Sequence, residues 1–136
     1  MTKKMDLSLE KKKERDWKQR RLRIEVRTQM HNAVCAFMYT VESHNLEVEK
    51  ASEDYLISLL FDPDNLEKCE RTIRAGKKSL KDPIRSSRKI GRKAVKLARA
   101  EKKTKVSQSH VEKAIESQHG KVWPYYQQRT EHLKTR

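Results

Sequence analysis

Glycine and proline are scarce in this chain, three of each among 136 residues. That leaves too few turn-formers for a β sandwich or barrel. The three glycines are scattered, which excludes a phosphate-cradling glycine loop. No run approaches the 18 or so apolar residues that a membrane-spanning helix needs. The segment MTKKMDLSLEKKKERDW has a basic start with no apolar stretch behind it, unlike a secretory signal, and its acids argue against a mitochondrial transit peptide. Only two cysteines occur, Cys35 and Cys69, and they read as reduced, buried or half-buried thiols of an intracellular protein.

Apolar residues are also few. They make up 35% of the chain against 38% charged residues, which suits long helices with thin apolar seams better than a thick core. Such seams often need a partner, so a homo- or hetero-oligomer is expected. What is abundant is positive charge. The net charge of +14 exceeds what solubility requires and points to a polyanionic partner. The charge comes in blocks. Residues 41–67 hold one base and 8 acids, whereas residues 68–105 hold 16 bases and 3 acids. An acidic block between basic ones fits an internal clamp or a surface for a basic partner.

Helix signals run through the whole chain. From Ser8 to Ser43 nothing breaks a helix, and Val26, Met30, Ala33, Val34, Phe37, Met38 and Val41 form a continuous apolar stripe. His44-Asn45 reads as its stop. Ser52 reads as the start of a second helix with Tyr55, Leu56, Leu59 and Leu60 inward, ending at Asp62-Pro63. Asp64 or Asn65 would cap a third through Leu66, Cys69, Ile73 and Leu80, with Gly76 its weak point. Asp82 as N-cap and Pro83 in the first turn would open the fourth. Lys105-Val106 reads as a short extended link. Ser107 would cap a last helix with Val111, Ala114 and Ile115 inward, closed by Gly120. The fold class is therefore all-α, with five or six helices and no internal repeat. Residues 1–20 form a basic N-terminal extension, 21–120 a single all-α domain, and 121–136 a tail. The tail carries Trp123, Tyr125 and Tyr126, which read as docking on the domain's own core rather than as a stacking platform for bases.

The fourth helix is the functional candidate. Wound from 82 to 103, it places Ile84, Ile90, Gly91, Ala94, Leu97 and Ala98 on one side. Arg85, Arg88, Lys89, Arg92, Lys96, Arg99 and Lys103 recur on the other at steps of three and four, with no acid among those positions. Such a ridge suits phosphate neutralisation. Catalysis has no comparable anchor, because no nucleophile–base arrangement or carboxylate pair can be placed in a pocket, so no enzyme is expected. His31 and Cys35 sit four apart and supply at most two ligands where a structural zinc wants four, so neither metal nor cofactor is expected.

Residues 90–117, IGRKAVKLARAEKKTKVSQSHVEKAIES, resemble the second half of a histone fold, in particular of the archaeal type. Ile90, Lys93, Ala94, Val95, Leu97, Ala98, Val106, Ala114, Ile115 and Ser117 stand where that pattern wants them. The resemblance implies a modified histone-like helix–loop–helix module at 82–117, with Lys103, Thr104 and Lys105 as the phosphate-meeting loop and Val106 as the bridge residue. It departs from the family in two ways. Lys103 and His110 stand where the family has an arginine clamped by an aspartate, and Asp82-Pro83 interrupts the central helix early. The expected function is sequence-nonspecific binding of nucleic acid, duplex DNA ahead of RNA, as a chromosomal, nucleoid or virion-associated component with no membrane partner. The alternatives are a ribonucleoprotein-assembly protein and a helical adaptor or coat subunit.

Overall fold

The computed structural model describes residues 2–74 and 81–118, and their architecture is all-α. Five helices occur among them: α1 (Thr2–Ser43), α2 (Lys50–Leu60), α3 (Pro63–Arg74), α4 (Lys81–Ala100) and α5 (Gln108–Ser117). Two two-residue strands, β1 (Glu47–Val48) and β2 (Lys105–Val106), pair in parallel with Val48 opposite Val106. The expectations for Gly76, Leu80, Gly120 and the Trp123–Tyr126 segment lie outside the described residues.

The core forms where the C-terminal half of α1 crosses α4, with α5 and α2 closing its ends. From α1 it takes Val26, Met30, Ala33, Val34, Phe37 and Val41, and from α4 Ile90, Ala94, Val95 and Ala98. Both stripes follow the helical spacing of the apolar residues. At Gly91 the two helices lie close together. A Cβ built on it would stand 3.1 Å from Cβ and Cγ2 of Thr40 and 3.4 Å from the Phe37 carbonyl oxygen, so a larger residue there would force the two helices apart.

The fold repeats itself although the sequence does not. α1–β1–α2 and α4–β2–α5 are each a long helix, a turn, a two-residue strand and a short helix. Both turns carry a residue with positive φ, Asn45 at 63° and Lys102 at 59°. Both close with the same pair of backbone bonds. Asn45 N–H donates to Glu42 O (3.0 Å) and Leu46 N–H to Val41 O (3.4 Å); Lys102 N–H donates to Arg99 O (2.9 Å) and Lys103 N–H to Ala98 O (2.9 Å). This is the Schellman termination of a helix, made here without glycine. Buried Ala33, Val34, Phe37 and Val41 occupy the places in α1 that Ile90, Gly91, Ala94 and Ala98 occupy in α4. The side chains are unrelated, so only the burial pattern repeats.

Several local expectations are corrected. Ser52 does not cap α2, which starts at Lys50 behind Glu49; the buried Ser52 hydroxyl donates instead to Val106 O at 2.7 Å, tying α2 to β2. Asn65 serves the C-terminus of α2 rather than the start of α3, donating through Nδ2 to Leu60 O (2.9 Å) and Leu59 O (3.3 Å). Asp82 does not cap α4 but lies within it, since the helix starts at Lys81; Pro83 falls in the first turn as expected, where a missing N–H costs nothing. The helix ends at Ala100, so Lys103 is not helical. Cys35 is exposed, while Cys69 is buried and its thiol is pushed up to about 12 by burial, with Glu70 adding to the shift.

Candidate nucleic-acid interface

The apolar stripe of α4 sets the geometry of its other face. Because Ile90, Ala94 and Ala98 are fully buried against α1, the helix cannot rotate, and the residues a half-turn away are held outward. Arg85, Arg88, Arg92, Lys96 and Arg99 are exposed and Lys89 is half-buried. From Arg85 to Arg99 the ridge runs about 21 Å at 1.5 Å per residue. This is shorter than a helix through 103 would give, because the chain turns off the axis at Lys102. Lys103, Thr104 and Lys105 are exposed in the turn beyond the helix end, so they sit beside the ridge as a separate loop.

Parts of this surface have internal partners. Arg99 Nη2 donates to His44 O at 2.8 Å, bracing the turn after α1 against the end of α4. Lys105 Nζ lies 3.7 Å from the Glu47 carboxylate across the strand pair, and Lys103 Nζ lies 4.0 Å from Glu101. Exposed pairs of this kind contribute on the order of 0–1 kcal/mol, so a phosphate can displace them.

An open groove of about 520 Å³ beside the ridge is lined by Lys89, Arg92, Lys93, Lys96 and Gln118. Lys93 was not a ridge candidate in the sequence, since it falls between the ridge and the stripe. The groove exists because α5 runs back along α4 and brings Gln118 to it, which no local pattern announces.

The turn after the helix is held by a contact that sequence reasoning missed. His110 is fully buried, and its Nδ1 accepts the Ser107 N–H at 3.0 Å, the place a capping box gives to Glu or Gln. With Nδ1 accepting, the proton sits on Nε2, which donates to Glu101 Oε2 at 2.6 Å. That hydrogen bond holds the Glu101 carboxyl below its usual range, against a smaller opposing effect of burial. The loop is therefore braced by a glutamate–histidine contact reaching from the end of α4 to the first turn of α5. The only sequence signal was His110 three residues after Ser107.

His31 and Cys35 do meet, with Nε2 and Sγ 3.6 Å apart on the exposed side of α1. Among the described residues no third side chain joins them in a cluster able to hold a metal. Nor is any helix there long and apolar enough to cross a membrane. Comparison with protein-family models, with curated proteins and with solved structures finds no match to this chain.

Proposed function

We propose that this protein is a binder rather than an enzyme, one that holds nucleic acid through its phosphates without reading sequence. Duplex DNA is its first target and architectural or packaging work its role. One observation carries the reading. Five exposed bases and the half-buried Lys89 share one face of α4, with no acid between Arg85 and Arg99, and the helix is fixed by a fully buried stripe behind them. A rigid row of charges loses little conformational freedom on meeting a phosphate backbone, which favours binding over a solvated, flexible row. The loop bases Lys103 and Lys105 add a second, separate patch of positive charge beyond the helix end. The resemblance of 90–117 to a histone second half supports the same reading, because it assigns that loop to phosphate contact. A chromosome, nucleoid or packaged genome is the corresponding location.

The test is a competition titration of the full chain against duplex DNA, duplex RNA and single strands at two salt concentrations. Duplex DNA of unrelated sequences should compete equally, and all binding should weaken at the higher salt. Preference for RNA duplex would move the role to ribonucleoprotein assembly. Absence of binding to any of them at low salt would end the nucleic-acid reading.

A further inference from the structure

Among the described residues almost nothing packs on the N-terminal half of α1. Every residue from 9 to 21 is exposed, and Leu22 is only half-buried. A lone helical stretch is marginal in water, so a surface that covers it would stabilise it. Its apolar side chains are aligned. At 100° per residue Trp17, Ile24, His31 and Met38 fall within 60° of one another and are seven apart, the spacing of a helix–helix seam, with Leu9 and Tyr39 flanking them at the two edges of a 120° face. Exposure along this line is high, 65% for Trp17, 66% for Ile24 and 75% for Tyr39.

The line ends in a groove. Val34, Met38 and Tyr39 of α1 face Ile57 of α2 and Phe61 across an open space of about 500 Å³, with Glu42 and Glu53 on its lining. The two halves of α1 thus differ in what they present. Residues 1–27 carry 11 bases and 5 acids, whereas the groove lining carries two acids, Glu42 and Glu53, and no lysine or arginine. A second copy laid antiparallel along α1 sets the basic half of each copy on the Glu42–Glu53 groove of the other, twice over. A parallel copy would set like on like.

We infer that the protein forms a two-fold antiparallel dimer along α1, with the Leu9–Trp17–Ile24 line of each copy seated in the Val34–Met38–Tyr39–Ile57–Phe61 groove of the other. Such an interface is isologous, so one pair of contacts is made twice and closes. None of its residues belongs to the α4 ridge, so the dimer presents two ridges.

The test is the mass of the full-length protein by sedimentation over a range of concentrations, without nucleic acid, beside its Trp17→Glu, Ile24→Glu and Trp123→Ala variants. The wild type and Trp123→Ala should be dimers. Trp17→Glu and Ile24→Glu should weaken association by roughly a hundredfold or more, since buried aromatic anchors dominate interfaces. Their melting should approach that of a monomer rather than an unfolded chain, because both side chains face solvent within one copy. A cysteine pair, Trp17→Cys with Tyr39→Cys in a Cys35→Ser background, should cross-link between copies. A monomeric wild type overturns the inference. So does a dimer indifferent to both glutamates, or one lost only in Trp123→Ala, which would make the C-terminal segment the occupant.

Discussion

Gly91 and Ala94 show how little room separates α1 from α4. Ala94 is fully buried, and one turn earlier Gly91 has no space even for a relaxed methyl group beside Thr40. Thr40 cannot easily yield, since its hydroxyl donates to Ala36 O at 2.7 Å and fixes its rotamer. Ala94→Asp places an unpaired carboxylate in that seam and should cost about 3–5 kcal/mol, enough to unfold most of the protein in a thermal melt. At Lys102 a substitution should help. Its φ of 59° puts a side chain in the left-handed region, a cost of roughly 1–2 kcal/mol that glycine avoids. The added freedom of glycine in the unfolded chain takes back about 0.4–1 kcal/mol. Lys102→Gly should therefore gain about 0.5–1 kcal/mol, read as a rise in Tm of about 2–5 °C. Asn45, at the equivalent turn, is a residue type that tolerates this backbone and should gain less on the same change.

At the scale of elements, α4 carries two properties on opposite faces, and they should separate under mutation. Arg88→Glu, Arg92→Glu and Lys96→Glu together change three exposed side chains and no core contact. Nucleic-acid binding should fall by at least a hundredfold while helicity and Tm stay nearly unchanged, the usual result for surface substitutions. Circular dichroism beside a binding titration checks both halves. Unfolding of the triple variant would show that the ridge is structural. These two faces were legible in the sequence because a periodicity of 3.6 is a local property of the chain. The bracing of the following turn was not. Glu101, Ser107 and His110 form no periodic pattern, and only the return of α5 along α4 buries His110 and brings it to Glu101. Ser52 misled for the same reason. Serine before a helix is a good cap locally, yet its hydroxyl is taken by Val106 O from a strand far along the chain.

For the whole molecule the separation of charge is the governing feature. Of the 68–105 block, 11 bases against 2 acids fall in α4 and the turn and strand that follow it, while the acids of 41–67 run from the end of α1 through α2 into α3. Part of that acidity is answered within the chain, since Arg23 and Arg27 of α1 line one groove with Glu67 and Glu70 of α3. The groove beside the ridge has no acid in its lining among the described residues. If about six to eight phosphates are neutralised per protomer, log affinity should fall against log salt with a slope near −5 to −7, measurable by fluorescence anisotropy. A slope shallower than about −2 would mean that phosphate neutralisation is not the source of affinity.

The sequence by itself determined that the chain is all-α, where its long helices run, which face of α4 is apolar and which basic, and how the charge is blocked. All of these depend on residues within a few turns of one another, and helical geometry converts such spacing directly into faces. Tertiary structure alone decided that the chain folds as two matching arms, that β1 and β2 pair between them, that Gly91 lies tight against Thr40, and that Trp17 and Ile24 stay uncovered by the other described residues. Each of those is a meeting, or a missed meeting, of segments distant in the chain. The same apolar side chain reads alike in sequence whether a neighbour buries it or leaves it in water. Only the placement of the other helices distinguishes Phe37, wholly enclosed, from Met38, its neighbour in the same apolar stripe and only half-buried.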